Sequence, residues 1–255
     1  MRIMPKTILE QTESNIEMGF QNKNVLIIEK ETDSVFKNIF FYMLTLFSEK
    51  ISSIKVDPHP FSLPKEYLFS DKHKKNLLKW IKRLDEMDHP ASDLEFGKIK
   101  IDFEYWYYQL GGENIEFSYH QDYLLTPQAA ADALGVSKVT LSKYVKQGLD
   151  YIENGTHKRI PKYTIEIMKD PIYSIRMQQI AQEKKLREQS VEERYHEITQ
   201  ELADLKLKYK KMTLDEAFGE YAGDNMEDPT DYYRWRDLEE EMEEIFRLRG
   251  GKEEA

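Results

Sequence analysis

Residues 125–148 read LTPQAAADALGVSKVTLSKYVKQG, two short helical patterns divided by a glycine turn. Thr126 is placed to cap a first helix, with Pro127 at the first helical position, where a missing N–H costs nothing. Ala129, Ala130 and Ala133 are expected to keep that helix thin enough for a second to approach, and Leu134 to face a core. Gly135-Val136-Ser137 then makes the turn, the glycine supplying left-handed backbone and Ser137 capping the second helix. With Leu141, Tyr144 and Val145 inward, Lys138, Thr140, Ser142 and Lys143 are left on the outward face. Lysines there suit phosphates or guanine edges and the hydroxyls suit either, as in a helix that enters a DNA major groove.

Past Gly148, the segment Asp150 to Pro161 reads as a two-stranded wing, because Asn154-Gly155 is a strong hairpin-turn pair. The wing is expected to present Thr156, His157, Lys158 and Arg159 together as a basic finger. The run from LTPQAAADALGVS to GTHKRIP resembles the excisionase-type, MerR-related winged helix-turn-helix, in which LT-x-x-EAA-x-x-LGVS precedes a wing ending in G-x-HRRI. Gln128-Ala129 stands where Gln-Glu is frequent, and Lys158 replaces the first wing arginine, keeping the charge but losing the planar fork.

This resemblance implies sequence-specific binding of double-stranded DNA for transcriptional control, without a cofactor. Ser137, Lys138, Thr140, Ser142, Lys143, Thr156, His157, Lys158 and Arg159 are the expected contacts. Such modules followed by a helical tail are similar to bacterial antitoxins and to phage and plasmid regulators. Because folds do not fix functions, the contrasting reading is an interaction protein that neutralises a partner through its tail and keeps the helix-turn-helix as scaffold.

Residues 1–120 read as a mixed α/β domain. Val25 to Glu29 suggests a short strand, Ser34 to Ser52 a helix capped by Ser34, and Leu63 to Met87 a helical region with Leu77, Leu78, Ile81 and Leu84 at helical spacing. Ile99, Ile101, Phe103, Tyr105 and Tyr107 alternate with Lys98, Lys100, Asp102, Glu104 and Trp106, the period of two of a half-buried strand. Gly111-Gly112 and the alternating Ile115, Phe117 and Tyr119 complete an expected β-hairpin.

From residue 170 to 255 the pattern is helical. Asp170-Pro171 is a helix start, Ser190-x-x-Glu193 and Thr213-x-x-Glu216 are capping boxes, and Pro229-Thr230 opens a last helix. Val191, Tyr195, Ile198, Leu202, Leu205, Tyr209 and Met212 form an unbroken heptad seam. It fits either an intramolecular hairpin with Ile172 to Leu186 or a homodimer that pairs two DNA half-sites. Between Thr213 and Ile245 there are 13 acids against Arg234 and Arg236. Phe218, Tyr221, Tyr232, Tyr233, Trp235 and Phe246 are interleaved with them, which suits a solvated face or a surface for a basic protein partner. Only Arg247 and Arg249 are left to offer arginine to an acidic site.

The chain has 255 residues, is 40% apolar and 33% charged, and contains no cysteine, which removes disulfides, thiolate zinc sites and cysteine nucleophiles. A cytoplasmic setting is expected, since Met1 to Lys6 lacks the basic-then-apolar arrangement of a secretion signal. The most apolar stretch, Val35 to Phe47, is interrupted by Lys37 and falls short of the roughly 20 residues that span a bilayer, so it reads as a buried helix. The net charge of −10 opposes nucleic-acid binding unless charge is segregated. It is: from Thr126 to Lys162, Lys138, Lys143, Lys146, Lys158, Arg159 and Lys162 outnumber Asp132, Asp150 and Glu153.

Nucleotide chemistry finds no foothold. There is no glycine-rich phosphate loop, no strand-Gly-x-Gly turn and no Gly-x-Ser-x-Gly elbow. Glu193-x-x-His196 lacks the second copy and extra glutamates that a carboxylate-bridged metal site needs. Asp224, Glu227, Asp228 and Asp231 lack the spacing of a calcium loop. His59, His73, His89 and His120 are scattered. The expected architecture is therefore α+β in three parts, 1–120, 121–169 and 170–255, with no catalytic or metal-binding residue.

Overall fold

A computed structural model describes residues 6–56, 63, 65–86, 92–154, 157–219 and 229–250. The chain is mostly helical with small antiparallel sheets, broadly α+β, and divides into two compact units, residues 1–187 and 188–255.

In the first unit α1 (Lys6–Gln21) and α2 (Val25–Leu46) pack together, followed by β1 (Ile51–Val56), α3 (Lys65–Leu68), α4 (Asp71–Glu86), α5 (Asp93–Gln109) and β2 (Ile115–Tyr119). The expected strand at Val25 to Glu29 is instead the opening of α2. Asn24 caps that helix by accepting from the Ile27 amide at 3.2 Å, and Ile28, Val35, Phe36, Ile39, Tyr42 and Met43 bury one helical face. Ser34 therefore lies inside the helix rather than capping it. The helical reading of Leu63 to Met87 resolves into α3 and α4, with Leu77, Trp80, Ile81 and Leu84 buried.

The larger correction is at Ile99 to Tyr107, which is not a strand but the middle of α5. Ser92 and Glu95 close a capping box in front of it, the serine hydroxyl accepting from the Glu95 amide and the Glu95 carboxylate accepting from the Ser92 amide. Alternation misleads here because α5 is enclosed on nearly every side, so both the apolar and the charged members are buried, Lys100, Asp102 and Glu104 among them. A charge buried alone would cost several kcal/mol. None is alone. Asp102 accepts from Arg83 at 2.7 Å, Lys79 at 3.3 Å and Tyr173 at 3.0 Å, and also from Arg176. Glu104 takes Lys100 and Lys184, each at 2.8 Å.

The expected hairpin across Gly111-Gly112 is absent. Those glycines turn the chain out of α5, Gly111 at φ +85 and Gly112 so close to the Tyr107 ring that a Cβ would lie 2.3 Å from it. β2 pairs instead with the distant β1, Ile54 opposite Phe117 and Val56 opposite Ile115.

The unit continues through β3 (Leu124–Leu125), α6 (Pro127–Leu134), α7 (Lys138–Gln147), β4 (Ile152–Asn154), β5 (His157–Pro161), α8 (Tyr163–Ile167) and α9 (Pro171–Glu188). Ala130, Leu141, Leu149, Ile160, Tyr163, Met177 and Ile180 belong to the same buried cluster as Ile39, Phe96 and Trp106. The expected borders at 120 and 170 therefore do not separate cores, and α9 belongs with what precedes it.

The second unit holds α10 (Val191–Tyr209), α11 (Leu214–Phe218) and α12 (Thr230–Gly250). Its core is Ile198, Leu202 and Leu205 against Trp235, Leu238 and Ile245, with Tyr195 and Tyr209 at the margin. The seam is thus satisfied within the second unit by α12, while Met177 and Ile180 of the expected partner Ile172 to Leu186 are buried in the core of the first unit. Val191 and Met212 stay exposed, leaving a homodimer built on this seam little to bury. Arg194 grips Glu241 and reaches Glu197 at 3.0 Å, Arg234 meets Glu201 at 2.9 Å, and Lys208 meets Asp231. Part of the acidic charge is therefore used inside the unit. Trp235 and Phe218 pack with Tyr209 rather than facing outward; Phe246 is 53% exposed, and Tyr221 lies outside the described residues. Among the described residues no helix is long and apolar enough to cross a membrane.

Candidate nucleic-acid interface

The α6–α7 pair is built by local hydrogen bonds. Thr126 Oγ1 accepts from the Ala129 amide at 3.2 Å, starting α6. Gly135 at φ +67 ends that helix, and the Val136 amide returns to the Ala131 carbonyl at 3.0 Å. Ser137 Oγ accepts from the Thr140 amide at 3.1 Å and starts α7. Among the alanines, Ala130 and Ala131 are buried while Ala129 and Ala133 are exposed, so the close approach uses a different face of α6 from the expected one.

On α7, Leu141 is buried and Thr140, Tyr144 and Val145 are half-buried, leaving Lys138, Val139, Ser142, Lys143, Lys146 and Gln147 in solvent. Lys138, Ser142 and Lys143 thus lie where the sequence reading puts them. Thr140 does not: its hydroxyl is 3.0 Å from Ser137 Oγ, and both residues serve the cap. Val139, Lys146 and Gln147 were missed, although a helical-wheel reading anchored on Leu141 places them on the same outward face.

The two strands expected as a wing gain a third that the sequence does not announce. β5 lies between β3 and β4, with Leu125 opposite Ile160 on one side and Ile152 opposite Arg159 on the other. His157 pairs with Asn154 at the end of the ladder; Thr156 lies outside the described residues. Because side chains alternate along a strand, Lys158 and Arg159 project from opposite faces rather than forming one finger. Lys158 Nζ stands 4.0 Å over the Tyr151 ring, a cation–π contact that directs the ammonium along the wing. Among the described residues, no ion pair holds Lys138, Lys143, Lys146, Lys158 or Arg159.

Behind this surface the elements are closely packed. Gly148 ends α7 at φ +111, and a Cβ there would come within 2.9 Å of Ala181 Cβ and Gln178 Cα, so α9 abuts the end of α7. Asp150, two residues on, meets Lys100 of α5 at 3.1 Å and accepts from Tyr119 at 3.4 Å and from Tyr163. Burial pushes the Asp150 carboxyl upward, but Lys100, Lys184 and the tyrosine hydroxyl outweigh it and hold the group below the usual carboxylate range. Burial beside Asp150 pushes the Tyr119 and Tyr163 phenols up, keeping both as neutral donors.

Glu193 spends its carboxylate on the Ser190 cap, and His196 approaches Glu192 at 3.6 Å instead. No group of three His, Asp or Glu among the described residues is arranged to hold a metal ion. No protein-family model, characterised protein or solved structure matches the chain.

Proposed function

We propose that the first unit binds duplex DNA sequence-specifically, α7 entering the major groove and the β4–β5 wing gripping the adjacent backbone, as expected of a transcriptional regulator. The observation that carries this reading is the segregation of cations. Lys138, Lys143 and Lys146 share the solvent face of a helix capped and backed by buried residues, and Lys158 and Arg159 stand on the wing beyond it. Lysines and arginines at the core of the same unit, such as Arg83, Lys100 and Arg176, are spent on buried carboxylates. Cations left without carboxylates, beside hydroxyl and amide side chains, are what phosphate positioning and base-edge contact require.

The chain is acidic overall because residues 188–255 carry 21 Asp and Glu against 10 Lys and Arg, so the net charge says little about the first unit. A regulator of the antitoxin or mobile-element type agrees with the motif resemblance. The test is fluorescence anisotropy of wild type and of the Lys143→Ala, Lys158→Ala, Arg159→Ala triple variant on duplexes selected from a randomised pool. Loss of binding with an unchanged circular dichroism spectrum is expected, and unchanged affinity overturns the reading.

A further inference from the structure

Val139 is 69% exposed in the middle of the lysine-bearing face of α7. It packs against nothing in the core, and valine is a poorer helix former than the lysines around it, so neither packing nor propensity accounts for it. Its neighbours on that face are Lys138, Ser142 and Lys143, all exposed. An apolar side chain bracketed by cations faces a surface that is anionic at its edges and apolar at one point. Duplex DNA has one such point in the major groove, the 5-methyl group of thymine, set among base-edge donors and acceptors and flanked by phosphates.

Position and stiffness both fit. Val139 is the second residue of α7, and the N-terminal residues of a groove-reading helix are the ones that reach base edges. A β-branched side chain in a helix is held to essentially one χ1 rotamer, so its two methyl groups are presented without further ordering. We propose that Val139 is a specificity-determining residue that reads a thymine methyl while Lys138 and Lys143 take phosphates or guanine edges beside it. This rests on the reading of α7 as the DNA-binding helix.

The experiment enriches duplexes from a randomised pool with the full chain and then replaces each thymine of the enriched site singly by uracil, which removes only the methyl. One position is expected to weaken wild-type binding about fourfold, the worth of one buried methyl-sized group, and Val139→Ala is expected to bind the thymine and uracil duplexes equally. The exposed site makes that variant safe to fold. Failure to enrich any duplex overturns the reading of α7 and this inference together. Enrichment with no uracil-sensitive position, or with the same sensitivity in Val139→Ala, overturns this inference alone.

Discussion

Raising the salt concentration is the perturbation whose size follows most directly from the structure. Five cations stand unpaired on α7 and the wing, Lys138, Lys143, Lys146, Lys158 and Arg159. Each phosphate neutralised contributes about −0.9 to the slope of log affinity against log salt, so one copy of the chain is limited to a slope of about −4.5. Affinity is then expected to fall by at most about 500-fold between about 50 and 200 mM monovalent salt. In Lys146→Ala/Lys158→Ala the slope shrinks to about −2.7 and the fall to about 40-fold. Anisotropy titrations on a labelled duplex at four salt concentrations read both numbers. A slope near −9 reports two copies on one duplex, as paired half-sites demand. Dependence shallower than about −2, or a slope that the double variant leaves unchanged, refutes the assignment of this face.

Behind α7 the packing of the first unit can be tested as well. Asp150→Asn strands Lys100, whose side chain is 4% exposed, on a glutamate it already shares with Lys184. Removing one partner of a buried pair costs about 3–5 kcal/mol, and the partial exposure of Asp150 favours the lower end. Thermal unfolding is expected about 6–12 °C lower, with a shift below 2 °C counting against the network. His73 is fully buried; Thr32 donates its hydroxyl to the Ile28 carbonyl and so accepts from His73 Nε2, while Nδ1 has no partner. Burial pulls its pKa down to about 4. The unfolded chain therefore binds the extra proton first, and stability that is complete above the unfolded value near 6.5 declines as pH falls toward 4, by about 2 kcal/mol at pH 5. Urea unfolding at pH 7.5 and 5 is expected to show that decline, and His73→Phe to flatten it.

Below pH 4 a second decline is expected from Asp102 and Asp150. Burial raises both carboxyls, but their cationic partners outweigh it and hold them low, so this contribution is lost as they protonate; an unchanged Tm between pH 5 and 3 disproves it. Gly135→Ala, in open space at φ +67, is expected to cost only the left-handed penalty of about 1–2 kcal/mol. Gly148→Ala must also displace the Gln178 backbone and Ala181, and equal urea midpoints for the two variants contradict that packing.

What the sequence reveals by itself is what hydrogen-bonding rules settle within a few residues. Thr126, Ser137, Ser190 and Thr213 each cap the helix they precede, and Gly135 turns where a left-handed residue is needed, because a cap and its orphan amide lie within one turn of each other. The outward lysines of α7 follow from the same local period.

The rest depended on partners remote in sequence. α5 reads as a strand because its period of two is real, and only enclosure by α4, α8 and α9, with Arg83, Arg176 and Lys184 brought to its acids, makes a helix buried on both sides tolerable. β1 and β2 pair across some sixty intervening positions, which no turn signal announces. The α10 seam is legible as a seam, yet only the folded second unit shows its occupant, Trp235 and Leu238 of α12. Burial is a property of what surrounds a residue, so the sequence by itself determined where α6, α7, α10 and α11 start and which way α7 faces, while the tertiary structure alone decided which faces are covered and by what.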